Sequence, residues 1–260
     1  IIPEGSIGRT LIQIDNGRVY YTSEAVALGT GMFCTLFMSL AGFYLISNSF
    51  RRDIITRTGF VVAATPVSNT EYIIGKFLGN ALYLTAVLFT CMLSSMVMFL
   101  IRGEASLEPL TFMSIYAWLV IPTIAFCSAA ALAFEALPVL SGRFGDVLYF
   151  FVWALLLGFS GASIDTHGGA DWRCAFDITG IIPIMSFFRD HFHTSSLSIG
   201  SSSFDTSKTP ILLSEMPWNV ALIMQRVSTF ILPVVLLALA RLWFHRYNPT
   251  KIKISVRHAR

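Results

Sequence analysis

Charge is what this chain has least of. Asp, Glu, Lys and Arg make up 13% of its 260 residues, against about a quarter in an ordinary soluble domain. With 55% hydrophobic residues and a mean hydropathy of +0.68, the shortage excludes a disordered chain and a water-soluble globule. Cysteine is also scarce. Cys34, Cys91 and Cys127 fall inside apolar runs and only Cys174 lies in a long polar loop, so there is no disulfide framework. The three cysteines in apolar runs read as small buried hydrophobes. No Walker A motif exists: the Gly75-Lys76 pair is followed by Phe77 and lacks the flanking glycine and hydroxyl residue, so ATP binding by that route is not expected. H-E-x-x-H and G-x-S-x-G are absent, which removes two common hydrolase signatures. The basic residues sit beside apolar runs instead of forming one face, so nucleic acid is not expected as a partner.

What remains is apolar sequence of membrane length. The runs 25–50, 77–101, 109–134, 147–164 and 218–240 each reach across a hydrocarbon core of about 30 Å at 1.5 Å per helical residue. The fold class expected is an all-α polytopic membrane protein with five spans in this chain. Its organisation is a 1–24 segment, a 25–240 transmembrane domain and a basic 241–260 tail. Loops on one side (47–76, 135–146 and the tail) hold eleven Lys and Arg, and those on the other side hold six. The positive-inside rule places the first set, and the C-terminus, in the cytoplasm of a cell inner or plasma membrane. The 1–24 segment is then outside. It lacks the basic start and apolar core of a signal peptide, and its Leu11, Ile12, Ile14, Val19 and Tyr20 around Asp15-Asn16-Gly17 predict a short hairpin. The chain starts at Ile1, and an outside start with five spans predicts one further span upstream, six in the parent.

The loop 51–76, RRDIITRTGFVVAATPVSNTEYIIGK, is the most informative stretch. Ile54, Ile55, Val61 and Val62 share a helix face, with Arg51, Arg52, Asp53, Thr56 and Arg57 before or opposite them, which predicts an amphipathic helix. Pro66 ends it. Ser68-Asn69-Thr70-Glu71 matches a capping box and starts a new helix leading through Lys76 into the second span. Such a hairpin either sets topology as an ordinary basic loop or serves as a lever pushed by another protein.

The segment Thr65-Pro66-Val67-Ser68-Asn69-Thr70-Glu71-Tyr72-Ile73-Ile74-Gly75-Lys76, with Arg52-Asp53 before it, resembles the corresponding stretch of ABC-2 type transporter permeases. The aromatic and basic run from Ala240 to Pro249 is similar to the exit from their last span. The resemblance implies a permease subunit of an exporter that forms the substrate pathway, is not itself an enzyme and works beside a second permease copy or homologue. It also implies a separate ABC ATPase subunit that holds ATP and Mg, so no cofactor is expected in this chain. The coupling helix would lie at 51–64. Arg51, Arg52, Asp53, Arg57, Glu71 and Lys76 would lie at or near the ATPase contact. Asp53 and Glu71 would pair either with the ATPase or with Arg57 and Lys76 inside the loop. A re-entrant element before the last span would match 178–188, an apolar stretch carrying Pro183.

Other residues carry rival readings. Arg226 lies within the fifth span and must face the bundle or snorkel; Glu215 is its candidate partner, in a structural ion pair or at a pathway contact. Asp190, His191, His193 and His167 in the outer loop 165–217 suggest a membrane-embedded enzyme as an alternative, but they complete no metal-ligand pattern, and no metal is expected. A non-transporting scaffold subunit is the third reading. Gly75-x-x-x-Gly79 predicts close packing of the second span in lipid. Pro122 and Pro233 predict kinks, and the Ser/Gly-rich stretch 197–207 predicts a flexible segment.

Overall fold

The computed structural model describes residues 9–137, 140, 142–162, 176–192, 197–205, 207–213 and 220–244. They are mostly helical. In chain order the elements are β1 (Arg9–Ile14), β2 (Gly17–Arg18), α1 (Ser23–Ile46), α2 (Ser49–Ile55), α3 (Thr58–Ala63), α4 (Asn69–Arg102), α5 (Pro109–Ala136), α6 (Arg143–Gly161), α7 (Ile181–Phe192), β3 (Leu197–Ser203), α8 (Val220–Ser228) and α9 (Ile231–Trp243). Among the described residues five helical stretches are long and apolar enough to span a membrane: α1, α4, α5, α6 and Ile223–Trp243.

The helices α1 and α5 form the centre. Their composition explains why: glycine and alanine are frequent, and small residues let backbones approach where lipid supplies no hydrophobic drive between helices. A Cβ at Gly31 would stand 3.3 Å from Leu119 of α5, and one at Gly29 only 2.8 Å from Leu11 of β1. By contrast α4, α6 and Ile223–Trp243 bury less than a third of their apolar windows, so most of their apolar surface faces outward. Among the described residues nothing lies within 4 Å of a Cβ built on Gly75 or Gly79. The small-residue face expected to seat another helix is open here.

At one end of the bundle β1 and β2 form the expected hairpin, with Asp15 and Asn16 at φ +47° and +61° as its turn. The stretch read as flexible supplies a third strand: β3 pairs antiparallel with β1, Ile12 opposite Ile199 and Ile14 opposite Leu197. Local composition could not reveal a pairing that closes over so long a loop. Pro183 does not break its apolar stretch either. It occupies the first turn of α7, where a missing N–H costs nothing, while Ile182, Ile184 and Phe188 are buried. The fifth span is divided, with α8 ending at Ser228 and α9 starting at Ile231. Pro233 cannot donate to the carbonyl four residues earlier, at Thr229, which lies in that break. Of the cysteines, Cys34 and Cys127 are buried as expected, but Cys91 is exposed.

Candidate coupling hairpin and buried arginine site

The loop 51–76 lies at the bundle end opposite the sheet. Its structure corrects the single amphipathic helix over 51–64. Two short helices form instead, and Arg57 between them adopts a left-handed φ of +61°. The hydroxyl of Thr56 donates back to the Arg52 carbonyl at 2.9 Å and lies 2.8 Å from the Thr58 hydroxyl. Two β-branched residues whose hydroxyls compete for helix-end carbonyls, followed by Gly59, favour termination over continuation. The start of α4 is as expected: Ser68 caps it, accepting from the Glu71 N–H at 3.3 Å, and the Glu71 carboxylate accepts from the Ser68 N–H at 2.7 Å.

These contacts separate the candidate residues into two groups. Asp53, Glu71 and Lys76 are engaged inside the loop. Lys76 Nζ lies 2.8 Å from the Asp53 carboxylate, half-sheltered from solvent, and Tyr72 donates its hydroxyl to the same carboxylate. This bridge pins α2 to the first turns of α4. Arg52 and Arg57 are exposed, as are Ile55 and Val61, 70% and 68% accessible. The Arg51 backbone belongs to α2.

Two further features fasten the hairpin to the bundle. The Glu135 carboxylate, at the end of α5, accepts from the Ser49 N–H at 2.7 Å and the Phe50 N–H at 2.6 Å. A helix N-terminus presents unpaired N–H groups and partial positive charge, and a carboxylate answers both. Phe50 of α2, Tyr72 of α4 and Phe244 beyond α9 form an aromatic triangle with centroids 4.9–5.8 Å apart. Glu135 was visible in sequence only as the acid closing the third apolar run. Nothing local marked Phe50 as its neighbour, or Phe244 as the neighbour of Phe50.

Arg226 is the second site. It is 2% accessible and buried between α5 and the turn before α7. One guanidinium N–H donates to the Leu119 carbonyl, Nε to the Trp118 carbonyl at 3.4 Å, and Nη1 to the Asp177 carbonyl at 3.5 Å. Pro122 explains one of these acceptors, since its missing N–H would otherwise occupy the Trp118 carbonyl. The turn fits closely around the arginine. Gly180 has φ +72°, and a Cβ there would stand 2.6 Å from the guanidinium carbon. The Asp177 carboxylate is fully buried and accepts from the N–H groups of Thr179 (2.9 Å) and Ile182 (3.0 Å), which caps α7. The Thr123 hydroxyl donates to the Ile178 carbonyl at 2.7 Å, leaving it to accept from the Thr35 hydroxyl, also at 2.7 Å. Arg226 thus ties α8 to backbone carbonyls of α5 and of the turn before α7. Its expected partner Glu215 lies outside the described residues, as do His167 and His193. Asp190 and His191 are placed by backbone alone, within α7. No cluster of three potential metal ligands occurs among the described residues.

Five apolar helices, little charge and a braced hairpin at one end define a multi-pass α-helical membrane protein. The family model described as ABC-2 family transporter protein matches residues 19–168, more than half of the chain and all of α1 to α6. The chain belongs to that family, whose membrane components are transport permeases partnered by an ABC ATPase. No curated protein and no solved structure gives a match.

Proposed function

We propose that this chain is the permease subunit of an ATP-driven exporter. It lines the substrate pathway together with a second permease copy or homologue and is driven by a separate ATPase through the loop 51–76. The C-terminal end and the hairpin face the cytoplasm, as the bias of Lys and Arg requires. The observation that carries the reading is the hairpin's combination of inner bracing and outer exposure. Ile55 and Val61 stand uncovered beside Arg52 and Arg57, while Asp53, Tyr72, Lys76, Glu135 and the Phe50–Tyr72–Phe244 triangle lock the same element to α4, α5 and α9. A push on the exposed face therefore moves span ends instead of bending a loose loop. ATP binding shifts the permease between access states only through contacts that differ between those states, and this hairpin is where such contacts can be made.

Arg51, Arg52 and Arg57 meet the ATPase in this reading, and Asp53, Glu71 and Lys76 hold the hairpin in shape for it. The test is co-purification of the protein from its native membrane in mild detergent, with partners identified by mass spectrometry. The Arg52→Glu/Arg57→Glu variant is expected to lose a nucleotide-binding subunit that the wild type retains. Undiminished retention together with unchanged ATPase rates in reconstituted vesicles would refute the assignment.

A further inference from the structure

On the sheet side of the bundle α1 and α4 leave a cavity of about 580 Å³ between them. It reaches Tyr116 of α5, and Leu11 of β1 and Gly200 of β3 lie at its sheet end. The strand β3 comes this close because Gly200 has φ +132° and no side chain; a Cβ there would stand 3.2 Å from Phe33, another lining residue. The mouth is lateral. Phe37 of α1 and Thr90, Cys91 and Ser94 of α4 line the cavity and are exposed, and the α4 surface beside them carries exposed Phe89, Leu93 and Val97. In a spanning helix such a surface meets hydrocarbon, so the cavity opens into the bilayer.

Its chemistry is one-sided. None of the described lining residues is charged. The hydroxyl donors are all committed inside the protein. Thr30 donates to the Val26 carbonyl at 2.6 Å, and Tyr116 donates to the Thr30 hydroxyl at 2.9 Å. Ser95 donates to the Met92 carbonyl at 2.8 Å, Thr90 to Ala86 at 3.1 Å and Ser94 to Thr90 at 2.9 Å. The Cys34 thiol, a weak donor, pairs with Cys91. A hydroxyl has one proton and two lone pairs, so each of these oxygens can still accept. Thr90 and Ser94 are exposed and Thr30 is half-buried, which places acceptors on both walls. An occupant must therefore bring the donor. A carboxylate or phosphate would meet only lone pairs, and a cation would lie at membrane depth without a countercharge, which hydrocarbon penalises heavily.

We propose that this cavity binds one uncharged apolar molecule carrying a hydrogen-bond donor, a lipophilic alcohol by class, which enters sideways from the bilayer. Its hydroxyl donates to Thr30 or Ser94, and its body packs on Phe33, Phe37 and Met38. A mostly apolar concave site with a few convergent polar groups is the usual form of a small-molecule site. That this molecule is the exported substrate rests on the permease reading above; that it binds does not.

The experiment is titration of the full chain, in phosphatidylcholine nanodiscs, with pyrenemethanol, pyrene and pyrenemethylammonium. The three probes share one apolar body, bilayer lipid competes throughout, and saturable binding is read as energy transfer from tryptophan. Pyrenemethanol is expected to saturate at one per chain and to bind about three- to fifteenfold tighter than pyrene, the worth of one hydrogen bond in a membrane interior. Pyrenemethylammonium is expected to bind no tighter than pyrene. Thr30→Ala/Ser94→Ala should erase the alcohol's advantage and keep the binding of pyrene. Ser94→Phe, at an exposed position of α4, should fill the mouth and abolish saturable binding of both with an unchanged circular dichroism spectrum. Absence of saturable alcohol binding, equal affinity for alcohol and pyrene, tighter binding of the ammonium probe, or an alcohol advantage that survives either variant would each overturn the proposal. No ATPase is present in this assay, so saturable alcohol binding by a chain that co-purifies with no ATPase would refute the permease reading alone.

Discussion

Replacing Gly180 with alanine tests the account of the buried arginine most directly. The backbone there has φ +72°, which costs a residue with a Cβ about 1–2 kcal/mol. The added Cβ would stand 2.6 Å from the Arg226 guanidinium carbon and from Nη1, when ordinary carbon contacts start near 3.5 Å. The arginine must therefore retreat by about 1 Å. Its contacts at 3.4 and 3.5 Å to the Trp118 and Asp177 carbonyls are already long, and a retreat takes them beyond hydrogen-bonding range. Interhelical hydrogen bonds in membrane proteins average about 0.6 kcal/mol with a maximum near 1.7, so the single variant should lose roughly 2–4 kcal/mol in all. In an Arg226→Met background the guanidinium is gone and only the backbone strain remains, about 1–2 kcal/mol. The two substitutions should thus couple by about 1–2 kcal/mol in a double-mutant cycle. Reversible unfolding in mixed detergent micelles, followed by circular dichroism, measures all four corners. Additivity within about 0.5 kcal/mol would refute the claim that Gly180 is required by the arginine.

Three other outcomes follow from the hairpin and the sheet. Glu135→Gln should weaken the capping of α2 by about 1 kcal/mol and Glu135→Ala by more, seen as faster amide hydrogen exchange at Ser49 and Phe50; unchanged exchange would deny the cap. Lys76→Met should loosen α2 against α4 more than Tyr72→Phe, because it leaves the half-buried Asp53 carboxylate without its cation; hydrogen exchange across 49–64 reads the order, and the reverse order would contradict the bridge. Near β3, hydrogen bonds from the Ser207 N–H and hydroxyl hold the Asp205 carboxyl below its usual range. A depressed folded value means the turn is held at neutral pH and loosens only as pH falls through that lowered value. Exchange at Ser207 normalised for intrinsic rate should therefore rise in acid, and Asp205→Asn should lose that pH dependence.

The sequence alone determined the class of this protein and most of its punctuation. A shortage of charge and runs of about twenty apolar residues leave lipid as the only solvent in which the chain can satisfy its backbone, and helices follow. Capping and turn chemistry are equally local, which is why Ser68 with Glu71, and Asp15-Asn16-Gly17, were legible in advance. The family resemblance rested on such a local stretch, residues 65–76, and the family match includes it. Four matters were decided only by tertiary structure. At the break Arg57 has φ +61° and the Asp53 carbonyl faces the Thr56 and Thr58 hydroxyls at 3.4 Å, an arrangement that the apolar periodicity did not show. β3 exists because β1 offers it an edge far away in sequence, Ile12 standing opposite Ile199. Glu135 became a cap because α5 ends where α2 starts. Arg226 meets backbone carbonyls of α5, about a hundred residues earlier in the chain, and the Trp118 carbonyl among them is the one that Pro122 leaves without an N–H. A periodic pattern states which face of a helix is apolar; it carries no information about which distant backbone group will meet a given side chain, because that is fixed by packing of the whole bundle.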